Sequence, residues 1–134
     1  MSRPLDAVIA RLEAQGCGVA GVSLFAGSDV DLPSGSPALL SVAETGGRAA
    51  IGTHQNPSAL RQPGFQIAAR ADRYEDAAAL ADQAYAALNA SNLLVDDVFF
   101  LTLRAVQEPF GIGTDAHGRP LVAFNLSTVC RRAA

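Results

Sequence analysis

The stretch Gly64-Phe-Gln-Ile-Ala-Ala-Arg70 continues as Ala-Asp-Arg-Tyr74-Glu-Asp-Ala-Ala-Ala-Leu-Ala-Asp-Gln-Ala-Tyr-Ala-Ala-Leu-Asn-Ala-Ser-Asn92, and its period changes on the way. Up to Arg70 it alternates. Phe65, Ile67 and Ala69 point one way and Gln66, Ala68 and Arg70 the other, which is the pattern of a half-buried strand. From Tyr74 the apolar residues recur at three- and four-residue steps. Tyr74, Ala77, Ala78, Ala81, Ala84, Tyr85 and Leu88 form one stripe of a helix. Asp72 offers its carboxylate to a first-turn N–H, and Glu75 three residues later completes a capping-box spacing. Asn89 and the Ala-Ser-Asn run end the helix. Its roughly 17 residues would span about 25 Å, enough to cross a small sheet. The alanines allow close approach to that sheet.

Upstream, Pro4 to Gln15 reads as a helix with Leu5, Val8, Ile9 and Leu12 on its apolar face. Ser2 would cap it and Gly16 would end it. Val19 to Phe25 reads as a strand, Ser28 to Pro37 as a loop, and Ala38 to Thr45 as a second strand with Leu40 and Val42 inward. The two strands would make a hairpin. Gly46 to Gln62 carries little sign of regular structure. So long a connection in a compact domain is usually functional, and its Ile51 and Leu60 are too apolar for a free linker. It reads as an arm that packs on another surface, such as a second chain.

Downstream, Val98 to Gln107 alternates again. Phe99, Leu101, Leu103 and Ala105 share one face, and Phe100, Thr102, Arg104 and Val106 the other. Pro109-Phe-Gly-Ile-Gly113 breaks the strand, and Thr114 to Pro120 is a turn. Leu121 to Arg132 is the last strand, with Val122, Phe124, Leu126 and Cys130 inward. Leu80, Ala84 and Leu88 should pack on Phe99, Leu101 and Phe124. The expected fold is one α+β domain over residues 1–134: a mainly antiparallel sheet of about five strands, two helices packed on one face, and an arm-like loop at 46–62.

A chain of 134 residues suits one domain with a real core. No apolar run approaches the ~18 residues of a membrane span. The N-terminal Met-Ser-Arg-Pro does not read as a secretory signal, so the protein should stay where it is made. A net charge of −3 argues against a nucleic-acid coat. All ten basic residues are arginine, which removes Schiff-base and Walker-lysine chemistry. Cys17 and Cys130 are far apart and read as reduced, buried thiols.

Candidate catalytic and metal residues are few. Asp29 and Asp31 have the spacing that opens a calcium loop, but its glycine and terminal glutamate are missing. His54 and His117 lack companions at metal-ligand spacing. Asp72, Glu75, Asp76 and Asp82 are explained by helix capping and solvation. Gly111-Ile-Gly113 is too short for a phosphate loop, and Arg131-Arg132 reads as a solvated pair. These residues nominate no catalytic, cofactor or metal site.

Three pieces carry a resemblance. They are Pro63 to Arg70 running into Tyr74-Glu-Asp-Ala-Ala-Ala-Leu-Ala-Asp82, then Gln107-Glu-Pro-Phe-Gly-Ile-Gly-Thr-Asp-Ala-His-Gly-Arg-Pro120, and the final strand with Asn125 ahead of Arg131-Arg132. In order and spacing the chain resembles the tail terminator proteins of long-tailed bacteriophages, a phage minor capsid protein family. The resemblance covers Pro63 to Arg132. Before that it rests on element order and the long loop holding His54. It implies a homo-oligomer, a hexameric ring, that caps the tail tube protein and ends its polymerisation. It also implies a face offered to a head-completion (stopper) protein and a lumen that DNA passes without specific binding. The place implied is the virion, at the head–tail junction, after assembly in the host cytoplasm. The family transfers no catalytic residues, no cofactor and no membrane contact. The arm residues Arg48, Thr53, His54, Asn56 and Arg61 are the expected contacts with a neighbouring subunit or the tube. Two other readings stay open: another ring-forming head–tail joining protein, such as a head-completion or tube protein, and a small α+β enzyme or ligand-binding domain.

Overall fold

The computed structural model describes residues 3–27, 38–52 and 60–132. Ser2 and the Ser28–Pro37 loop, with Asp29 and Asp31, lie outside them. The elements in chain order are α1 (Pro4–Ala14), β1 (Leu24–Ala26), β2 (Leu39–Glu44), β3 (Arg48–Ile51), β4 (Leu60–Gln62), β5 (Gly64–Arg70), α2 (Tyr74–Leu88), β6 (Ala90–Val95), β7 (Val98–Ala105), β8 (Phe110–Thr114) and β9 (Pro120–Arg132). The fold is α+β, with two helices on one face of a mixed, mostly antiparallel sheet. The described sheet has nine strands rather than about five. The four additional ones are β3, β4, β6 and β8. They are short, or they open on residues such as Ala-Ser-Asn and Phe-Gly that favour turns over strands.

The thirteen-residue β9 is the spine. One edge pairs with β5, from Phe65 opposite Leu126 to Arg70 opposite Leu121, and then with β4 through Arg61 opposite Cys130. Its other edge pairs with β7 and β8, and β6 lies outside β7. β2 flanks β5, with Leu40 opposite Ala69 and Val42 opposite Ile67. The helix-facing side therefore carries Val42, Phe65, Ile67, Val122, Phe124 and Leu126, all buried. Against it lie Ala77, Ala81, Ala84 and Leu88 of α2 and Val8 and Leu12 of α1. Small alanines let α2 sit close to the sheet, where Tyr85 meets Phe124 edge-on at 5.6 Å.

Several expectations change. The Val19–Phe25 strand shrinks to β1, because Gly21 takes φ +81° and the N–H groups of Val22, Ser23 and Leu24 all donate to the Val19 carbonyl, closing a turn. β1 runs parallel to β2, with Leu24 opposite Leu40, so the two do not form a hairpin. The residue before α2 is Arg73, extended at φ −121°, ψ 144°. Asp72 lies one residue too early to cap. Instead the Arg73 guanidinium donates to Glu75 at 3.0 Å. Tyr74 stands at the helix start and is 55% exposed rather than in the stripe. The far end behaves as read: Asn89 is the C-cap, its amide donates to the Tyr85 carbonyl at 2.7 Å, and its side-chain oxygen accepts from the Ala105 N–H.

The alternation in β7 breaks at Leu101. Phe100 stands opposite Cys130 and Thr102 opposite Val129, so two steps on β7 match one on β9. Leu101 is the extra residue of a bulge. Before it, Val98 and Phe100 face the core; after it, Leu103 does. Phe99 and Leu101, expected inward together, are only partly buried.

Candidate assembly surface

The segment expected as an irregular arm begins and ends as strand. β3 pairs with β4, with Arg48 opposite Gln62 and Ile51 opposite Leu60, and so extends the β2–β5 pair beyond the helices. All four β3 residues are exposed, Ile51 at 48%. At the base, Gly47 has φ +68°, and a Cβ there would collide with the Gln62 carbonyl and the Gly64 N–H. Only glycine allows the two strands to come so close at that bend. Pro63, without an N–H, separates β4 from β5, and its carbonyl accepts from the Thr128 hydroxyl at 2.7 Å. The Gln62 amide donates to the Ala49 carbonyl at 2.9 Å and ties the hairpin across.

Of the expected contact residues, Arg48 and Arg61 stand on this hairpin and are exposed. Their register places them on opposite faces. Arg48 shares a face with Gln62, whereas Arg61 shares one with Cys130. Thr53, His54 and Asn56 lie outside the described residues. Two shallow depressions border the base of the hairpin. One of about 330 Å³ lies between Gly47, Arg48, Gln62 and the Val106–Asn125–Ser127 patch. The other, about 240 Å³, lies between Glu44, Ala50 and Arg61. A third, about 210 Å³, is lined by Ser41, Ala43, Gln66, Ala68 and Ile112 on the sheet face away from the helices. Among the described residues no group of three or more His, Cys, Asp or Glu gathers as metal ligands do, and no helix is long and apolar enough to cross a membrane.

Periodicity gives no hint of a buried charge cluster at the β8–β9 turn. Arg70, at the end of β5, is only 3% exposed. Its guanidinium lies 3.6 Å from Asp115, whose other neighbour is the Arg119 Nε at 3.3 Å. The second Asp115 oxygen accepts from the His117 and Arg119 backbone N–H groups at 2.9 and 2.8 Å. His117 thus serves through its backbone, with its ring outside. Burial alone would push the Asp115 carboxyl up. The N–H donors of Arg119 and His117 and the charges of Arg119 and Arg70 outweigh it and hold the carboxyl below its ordinary value. Cys17 and Cys130 are free and buried, and burial pushes both thiols up. On α2, the hydrogen bond to Glu108 pushes the Tyr85 phenol up.

A family model for the bacteriophage tail terminator protein matches residues 11–130. The chain belongs to the bacteriophage tail terminator family. Members of that family are structural components of the virion tail. No curated protein matches this terminator by sequence. Among solved structures it is similar to a chain described as "Virion of native gene transfer agent (GTA) particle", with a TM-score of 0.62 and 13% identity, covering 96% of this chain and 94% of that one. At that identity the likeness is one of fold.

Proposed function

We propose that this terminator assembles into a ring on the last layer of the tail tube, stops tube growth there, and presents its other face to the head-completion protein. The observation that carries this reading is the family match over residues 11–130. The hairpin beyond the helices supports it, because exposed strands such as β3 are surfaces for another chain. Arg48, Thr53, His54, Asn56 and Arg61 are its contacts with a neighbouring subunit or the tube. The protein acts stoichiometrically, by covering one surface and offering another, and DNA passes the ring without base or phosphate recognition.

The sheet edge at β6 fits a cap. Asn92 takes φ +52° in the middle of that strand. A left-handed residue bends an edge and spoils it as a template for further strands. A surface that must end a polymer needs such an edge on its far side. The test is complementation of a gene deletion, scored by tail length in micrographs. The deletion strain should make tails of uncontrolled length, or tails that join no heads, and the native gene should restore both. Normal, head-joined tails in the deletion strain would overturn this function.

A further inference from the structure

We propose that neighbouring copies join head to tail through opposite charge, with the outer stripe of α2 on one copy seated on the arginine-bearing back face of the next. This rests on the ring reading above and names the contact that closes it. The outward positions of α2 are Glu75, Asp76, Ala79, Asp82 and Ala86, all exposed, while the Gln83 amide donates to the Gly16 carbonyl beyond α1. The last turn of that helix carries no basic residue. Glu75 is shared with Arg73, so Asp76 and Asp82 are the outward charges, and Ala79 between them and Ala86 beyond them allow a partner to come close.

The sheet face away from the helices has the opposite character. The register places Arg104 opposite Ser127, Arg131 opposite Phe99 and Arg48 opposite Gln62, all on that side. The three arginines are exposed, and Arg131 lies over the Phe99 ring at 4.8 Å. Val106 and Phe110, 65% and 46% exposed, add apolar area beside them.

The two surfaces sit on opposite sides of one subunit, and that arrangement selects the symmetry. A two-fold contact sets each patch against its own copy, acid on acid or arginine on arginine, and is disfavoured. Head-to-tail addition sets acid on arginine at every joint. It makes a ring when the rotation closes.

Charge reversal with a mixing step tests this. One variant carries Arg48→Glu, Arg104→Glu and Arg131→Glu. The other carries Asp76→Arg and Asp82→Arg. All five sites are exposed, so both should keep the native circular dichroism and melting curve. The mass of each is measured by sedimentation, alone and with tube protein. Each variant by itself should associate at least tenfold more weakly than native protein, and an equimolar mixture should recover the native mass by alternating around the ring. Native association should weaken as salt rises from about 0.1 to about 1 M, which shortens the screening length from about 10 to about 3 Å. Native-like assembly of either variant alone, or no recovery on mixing, overturns this contact and leaves the ring reading standing. So does salt-dependent binding of duplex DNA by the native ring that the arginine variant loses while still assembling, since the arginines then face the lumen. A native protein that stays monomeric with and without tube protein removes the ring reading, and this contact with it.

Discussion

Asp115 is the acid on which the β8–β9 turn closes. Its carboxylate takes two backbone donors and lies between two guanidinium groups, of which Arg70 belongs to the central sheet. Its folded-state pKa is below the ordinary 3.8. A depressed carboxylate contributes stability that is fully present above its unfolded pKa and is lost as pH falls through the folded value. Native protein should therefore lose melting temperature steeply as pH drops below about 4, while Asp115→Asn starts lower at neutral pH and declines less. Thermal melts at pH steps from about 6 to about 2 decide it, and parallel curves for the two proteins would refute the assignment. Asp115→Ala should be worse than Asp115→Asn, because an amide oxygen can still accept from the His117 and Arg119 N–H groups and a methyl group cannot. The Asp115–Gly118 turn is plain in the sequence as a turn. That its acid reaches a buried arginine forty-five residues earlier is not, because the pairing depends on β5 and β9 being neighbours in space.

At the scale of elements, α2 is the most legible part of the chain and β7 the least. The three- and four-residue spacing found the buried face of α2, and Ala84 and Leu88 are fully buried there. Leu88→Ala should cost about 2–5 kcal/mol in a urea titration, since it removes a large buried side chain. Ala84→Leu should destabilise by about 1–3 kcal/mol through overpacking. Losses under about 0.5 kcal/mol for both would place that face at the surface. In β7, strict alternation predicted the wrong inward set before Leu101 and the right one after it. One extra residue flips every side chain beyond it, and a bulge carries no mark in composition. The same reasoning covers the missed β8. Its two glycines read as breakers, yet a Cβ at Gly111 would press on Tyr74 at 3.3 Å, and Gly113 at φ +117° serves a second bulge. Partner strands, rather than their own side chains, hold such segments in the sheet.

For the whole molecule, the hairpin is the contact proposed above for a neighbouring subunit or the tube. Its base is fixed by Gly47, Pro63 and Thr128, so shortening its tip should spare the body. Deleting Thr53 to Leu60 should leave a protein with the native circular dichroism spectrum that fails to cap tubes, scored by tube length in micrographs. Normal capping by the shortened protein would show that the hairpin is not the contact. The sequence marked this segment only through its length and its low charge. Its strand character is invisible locally, since Arg-Ala-Ala-Ile has no alternation to read and is paired only because Leu60 to Gln62 lies beside it.

The position of β9 in the chain has a consequence for timing. Among the described elements, the strand that joins β4, β5, β7 and β8 comes last in chain order and is synthesised after all of its partners. Until Pro120 to Arg132 is synthesised, β5 and β7 have no common neighbour, and the apolar residues they present cannot close over α2. Pairings this distant in sequence also form slowly. A chain interrupted before Pro120 therefore has no finished surface to offer any partner. Translation itself thus acts as a checkpoint on which molecules carry a finished sheet.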